Sequence, residues 1–190
     1  MEYLVIFISA VFINNIVLAR FLGICPFLGV SKNTSTALGM GGAVLFVMTV
    51  ATVVTFLIYN FFLVPLGITY LQTVAYILVI AFLVQVVEIV LKKVSPDLYQ
   101  ALGVFLPLIT TNCAILGVAI LVIQQDYNLL QSIVFSIANA AGFTLAIVLF
   151  SSLREFMEMA ELPPAMKGVP AALVIAGILA MAFMGFAGVV

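Results

Sequence analysis

The sequence holds two thiols, and both begin the same pattern. Cys25 opens Cys25-Pro26-Phe27-Leu28-Gly29-Val30, and Cys113 opens Cys113-Ala114-Ile115-Leu116-Gly117-Val118. The copies lie 88 residues apart in a chain of 190, so a thiol recurs at matching points of two halves. A single buried cysteine usually packs as a small hydrophobe. A repeated one admits two further chemistries. The pair can close a disulfide if the backbones approach to Cα separations of roughly 4.4–6.8 Å. It can also ligate a metal. Structural zinc and iron–sulfur clusters take about four thiolate or imidazole ligands. This chain has two cysteines and no histidine, so it would supply half of such a site and a second chain the rest.

The elements that must position these thiols are membrane spans. Hydrophobic residues are 66% of the chain and charged residues 7%, too few to solvate a fold in water. Soluble domains carry roughly 45–50% apolar and about 25% charged residues. The expected fold class is therefore an all-α integral membrane protein. No basic tract points to nucleic acid. The N-terminal Met1-Glu2-Tyr3 runs straight into an apolar stretch without a basic region or cleavage site, so this stretch is expected to stay as the first span. A bilayer core of about 30 Å takes about 20 apolar residues per helix. Six segments reach that length: 3–30, 38–64, 68–91, 98–123, 129–153 and 169–190.

Lys32, Lys92, Lys93, Arg154 and Lys167 all fall in the connections after spans one, three and five, and the two opposite loops hold no Lys or Arg. The positive-inside rule puts those three connections in the cytoplasm and both termini outside. Three spans per half then make the second half enter from the opposite side. Residues 1–95 and 96–190 read as two inverted three-helix repeats within one membrane domain. Spans one and four are expected to be broken, the first at Asn14-Asn15 and Leu22 to Pro26, the fourth at Pro107 and Thr110 to Cys113. Proline removes a donor and clashes with the preceding turn. Non-helical backbone at membrane depth survives only where it is buried in protein, so the two breaks are expected to meet, each with a cysteine.

Zinc has no evident task inside lipid, whereas a [2Fe–2S] cluster there could carry an electron through the bilayer. Backbone N–H groups freed at Gly23 and Asn112 could donate to its sulfurs, at helix ends that carry positive dipole. Arg20, in apolar surroundings, has two readings: it offsets the charge of such a cluster, or it snorkels to the cytoplasmic headgroups. Glu88 is expected to pair with Lys92 at i,i+4. Asn14, Asn15, Asn112 and Asn139 are expected to bridge helices. Arg154, Glu155, Glu158, Glu161 and Lys167 read as a solvated connector.

At the cysteine motifs the chain resembles a known family. Asn14-Asn15 through Arg20, Cys25-Pro26-Phe27 and Lys32, together with Leu102 to Ala119 around Thr110-Thr111-Asn112-Cys113, are similar to the A-type membrane subunit of Rnf complexes. The likeness extends to Pro163-Pro164 and to the last helix around Phe183 to Gly188. The E-type subunit of the Na⁺-translocating NADH:quinone reductase is the sister family. The resemblance implies a membrane subunit of a multi-subunit, redox-driven ion translocase of the ferredoxin/NAD type in the bacterial inner membrane. No complete active site would lie in this chain. It implies that Cys25 and Cys113 hold half of an intramembrane [2Fe–2S] cluster. The other half would come from a homologous six-helix partner of opposite orientation, the E-type subunit of Rnf, and flavins would sit only on other subunits. An ion-conducting subunit with packed cysteines, and a purely structural scaffold, are the alternatives. A reporter fused after Val190 checks the orientation: activity is expected only for an enzyme that works outside the cytoplasm, and a cytoplasmic signal would overturn the assignment.

Overall fold

The computed structural model describes residues 2–94, 100, 106–159, 163 and 167–188. The expected boundary between halves at 95/96, the stretch 101–105, Glu161 and Pro164 lie outside them. Among the described residues the regular elements are all helices, without strands. The helices are α1 (Glu2–Ile8), α2 (Ile24–Gly29), α3 (Thr34–Ile58), α4 (Val64–Leu66), α5 (Gln72–Val94), α6 (Leu106–Thr110), α7 (Cys113–Gln124), α8 (Leu129–Glu158) and α9 (Val169–Met184). Two π-helical turns extend them: Ser9–Ile13 continues α1, and Tyr59–Leu63 joins α3 to α4.

Among the described residues four stretches are long and apolar enough to cross a membrane: Thr34–Leu66, Thr69–Val90, Pro107–Gln124 and Leu129–Glu158. Tyr3–Ile13 and Val169–Met184 are shorter apolar helices. Hydropathy alone starts the second span at 38 after a polar loop, but the helix starts at Thr34. Asn33 is extended at its N-cap, so the polar Thr34-Ser35-Thr36 run forms a first helical turn instead of a linker.

Helices α3 and α8 are the antiparallel centre. The start of α3 meets the end of α8, with the Thr34 N–H 2.8 Å from Glu155 Oε1. Further along, Gly41 faces Thr144. The buried stripe of α3 (Ala37, Met40, Gly41, Val44, Val47, Met48, Ala51, Thr52, Thr55) keeps helical spacing and uses small residues freely. That composition suits lipid. Apolar tails compete with leucine for apolar surface, so helices associate through close van der Waals packing. The buried hydroxyls bond back to their own helix, Thr52 to the Met48 carbonyl at 2.8 Å and Thr55 to the Ala51 carbonyl at 2.7 Å. No polar atom of those threonines then needs water.

Gly41 sets the approach of α3 to α8. A methyl placed there would lie 2.5 Å from Thr144 Cγ2 and 3.0 Å from its Cβ, a β-branched side chain with little room to move. At Gly42 a methyl meets nothing within 4 Å. Gly41→Ala is therefore expected to destabilise the fold by about 1–3 kcal/mol through overpacking, and Gly42→Ala to leave stability unchanged or slightly raised. Thermal unfolding of both variants in detergent checks this. Equal melting temperatures would refute the crossing geometry.

Candidate thiol site

The residues before Cys25 leave the helix and are held by internal partners. From Asn14 to Gly23 the chain is non-helical, yet Ile16, Val17 and Leu18 are buried. Asn15, itself fully buried, organises the segment with one carboxamide. Its Oδ1 accepts the Val17 N–H at 3.0 Å, and its Nδ2 donates to the Val11 carbonyl at 3.0 Å and the Gly142 carbonyl of α8 at 2.9 Å. The Leu22 N–H reaches back to the Ile16 carbonyl at 3.0 Å, and the Ala19 N–H to the Asn15 carbonyl at 2.9 Å.

Gly23 then turns the chain into α2. Its φ of +81° lies in the left-handed region, which glycine enters without a Cβ penalty. Its surroundings demand glycine as well, because a methyl there would sit 3.0 Å from Phe143 and 3.2 Å from the Ala114 Cβ. This close approach brings the halves together: the Gly23 N–H donates to Cys113 Sγ at 2.9 Å. The second cysteine's sulfur thus lies against the turn that starts the first cysteine's helix. Leu22 packs on the same face, its Cδ1 2.6 Å from where a Gly117 methyl would be.

Both cysteines occupy first turns. Cys25 is the second residue of α2 and Cys113 the first of α7. Between α6 and α7 the helix is interrupted at Thr111 and Asn112. Asn112 caps α7, its Oδ1 accepting the Ala114 N–H at 3.0 Å. Each sulfur therefore stands at the positive end of a helix dipole. Both thiols are free, so the pair forms no disulfide, and Cys25 is exposed while Cys113 is half-buried. Among the described residues no cluster of three or more His, Cys, Asp or Glu could hold a metal ion.

The expected backbone donors divide. The Gly23 N–H donates to the Cys113 thiol itself, whereas the Asn112 backbone N–H is taken by the Ile109 carbonyl at 3.2 Å. The Asn112 side-chain Nδ2 is buried and has no hydrogen-bond partner among the described residues. Of the other amides, Asn15 bridges to α8, whereas Asn14 bonds Ser9 and Asn139 bonds the carbonyl of Phe135 on its own helix.

Arg154 is not part of the solvated connector expected of it, and Glu155, though exposed, is bonded to the start of α3. Both lie on α8. Arg154 Nη1 donates to the Leu28 carbonyl at 2.9 Å and to Ser31 Oγ at 3.1 Å, at the C-terminal end of α2. Glu155 accepts from Thr34 at the N-terminal start of α3. A cation at a helix C-terminus and an anion at a helix N-terminus both complement the macrodipole. The stacked rings of Phe27 and Phe150, with centroids 4.2 Å apart, complete the hold on α2. Sequence spacing carries no sign of this, since the partners are more than 120 residues apart. Arg20 also departs from one of its two readings. It lines a cavity of about 180 Å³ with Gln125 and Tyr127, at the end of α7 and start of α8, away from Arg154 and the 31–34 turn. It therefore does not snorkel toward the loops assigned to the cytoplasm.

Residues 3–190 match the family model described as "Rnf-Nqr subunit, membrane protein". Curated relatives include the A-type subunit of the Na⁺-translocating ferredoxin:NAD⁺ oxidoreductase complex of Acetobacterium woodii, 57% identical over 188 residues, covering 99% of this chain and 98% of the relative. The A-type subunit of the ion-translocating oxidoreductase complex of Syntrophotalea carbinolica is 59% identical, covering 98% and 97%. The protein of the same description from Yersinia enterocolitica is 53% identical, covering 100% and 98%.

The clamp on α2 predicts its own mutational signature. Arg154→Met removes a charged donor from two acceptors and should cost about 1.5–3 kcal/mol. It should also speed maleimide labelling of Cys25 by freeing α2, with Arg154→Lys intermediate in both. Labelling rates and detergent melting curves of the three proteins check it, and a wild-type rate in Arg154→Met would show that α2 is held without it.

Proposed function

Because the chain belongs to the Rnf-Nqr family of membrane subunits, we propose that it is a membrane subunit of an ion-translocating ferredoxin:NAD⁺ oxidoreductase complex, and that Cys25 and Cys113 supply half of an intramembrane [2Fe–2S] site. The observation that carries the proposal is the contact of the two motifs, with the Gly23 N–H on Cys113 Sγ two residues before Cys25.

The residues present fit half of such a group. Two free thiols stand in the first turns of two helices. A backbone N–H already points at one sulfur, which is how proteins stabilise thiolate ligands. The described residues offer no third ligand, and the Cys25 thiol is exposed on a chain whose surface is largely apolar. A site open on one side and short of two ligands calls for a partner, for which we propose a homologous six-helix subunit of opposite orientation. When bound, the cluster would take up and release one electron between carriers on the two sides of the membrane. The work of this chain is to present the two sulfurs, stabilise their charge with the Gly23 N–H and the helix N-termini, and keep water away with the buried segment around Ile16 to Leu18.

The proposed architecture is a pair of inverted three-helix repeats, 1–95 and 96–190, with spans one and four broken. It is supported by the equivalent places of the two cysteines, each at a helix start that follows non-helical residues. The proposed orientation has both termini outside the bacterial inner membrane. Ser31 and Thr34 contact Arg154 and Glu155, so the connections after spans one and five share one end, as the charge bias requires.

Cys25→Ser and Cys113→Ser test the proposal in the assembled complex. Each should abolish one [2Fe–2S] EPR signal and electron transfer from reduced ferredoxin to NAD⁺ while the subunits still copurify. Unchanged iron content and activity in both would overturn it and favour an ion-conducting subunit with packed cysteines. The chain expressed alone should bind little iron. Stoichiometric iron in the monomer would rule out a shared site.

A further inference from the structure

We infer that the Asn112 carboxamide is a hydrogen-bond donor to the sulfur centre, and so a positioning residue that raises its reduction potential. The inference rests on the reading of Cys25 and Cys113 as cluster ligands and concerns a group that none of those ligands supplies.

Asn112 is 3% exposed. Its Oδ1 accepts the Ala114 N–H at 3.0 Å, its backbone N–H goes to the Ile109 carbonyl at 3.2 Å, and its carbonyl accepts from Leu116 at 3.5 Å. Among the described residues nothing partners Nδ2. The orientation of the amide is set, because turning it over would point Nδ2 at the Ala114 N–H, donor against donor. A buried donor left unpaired costs about 1–3 kcal/mol. Capping alone does not explain the residue, since aspartate caps a helix comparably without burying a spare donor. The donor lies on the residue before Cys113, and Oδ1 is 3.3 Å from where a Gly23 methyl would be. The carboxamide therefore sits in the corner where the Gly23 N–H meets Cys113 Sγ.

A neutral thiol is a weak acceptor, so this corner is under-satisfied while sulfur is uncharged. A thiolate or bridging sulfide of a bound cluster is anionic and takes a second N–H. Such bonds favour the more negative, reduced state, and hydrogen bonds to sulfur are one of the levers that set cluster potentials. Gly23 and Asn112 would then be paired donors, one from each half of the chain.

The test is an EPR redox titration of the assembled complex carrying Asn112→Ser or Asn112→Asp. Both variants keep a side-chain oxygen for the Ala114 N–H; Asp loses the side-chain donor outright, and Ser keeps only a hydroxyl on a shorter side chain. The midpoint should move to more negative potential in both, further for Asp because it adds charge. A wild-type midpoint in both, with iron retained, would overturn the inference. Pulsed EPR on the unmutated complex, labelled with [δ-¹⁵N]asparagine, decides the matter if the variants lose iron or fail to fold. A side-chain ¹⁵N coupling to this cluster is expected, and its absence would overturn the inference. Failure of the cluster reading itself shows separately, as a signal that survives Cys25→Ser and Cys113→Ser.

Discussion

A peptide group kept from water must find its partners inside the protein, and the residues from Asn14 to Gly23 leave the regular helix while Asn15 to Leu18 are buried. The rest of the structure is organised around making this survivable. Asn15 stands in for the missing helical partners, donating to two carbonyls and accepting a backbone N–H on the other side of its amide. The segment it holds is covered by α8, which offers Gly142 where the chain passes close and Phe143 against the turn at Gly23. Without that cover, buried backbone left unpaired would cost several kcal/mol per group. The break that presents the thiols depends on the long helix behind it.

Helix α8 meets this demand with two neighbouring stripes. Phe143, Phe150 and Arg154, at i, i+7 and i+11, face the turn and α2. Thr144 and Glu155, again 11 apart, face α3. One helix therefore locates both the short element that carries Cys25 and the long one that follows it. The second cysteine needs less apparatus. Asn112 caps α7 directly, and the interruption before it spans two residues where the first spans ten.

Hydropathy and the cysteine repeat make much of this legible in the sequence. The long apolar helices lie close to where twenty-residue windows put them, because lipid imposes length and composition on each span independently of its neighbours. The glycine before Cys25 is also readable as a donor, since a helix breaker frees its own N–H. Contacts between distant segments are not legible. Arg154 and Glu155 look like connector charges because nothing local distinguishes a charge that meets water from one that meets a helix end 120 residues earlier. Arg20 misleads in one of its two alternatives for the same reason. The direction of a side chain from a non-helical segment follows from the turn at Phe21 and Gly23, both at positive φ, and not from its neighbours in sequence.

The adjacency of Arg154 and Glu155 makes α8 a gauge of fixed length. Consecutive residues on a helix are separated by about 100° and 1.5 Å. Here that single step separates a carbonyl-seeking cation from an amide-seeking anion. Inserting one residue between Gly142 and Phe150 would bring Arg154 to the start of α3 and Leu153 to the end of α2, deleting one would bring Glu155 to the end of α2 and Phe156 to the start of α3, and either would turn Phe150 away from Phe27. The helix can accept exchange of outward-facing side chains along its length, but its residue count over this interval is part of the site. Related chains that keep the two cysteines should therefore differ in this interval by substitution and not by length.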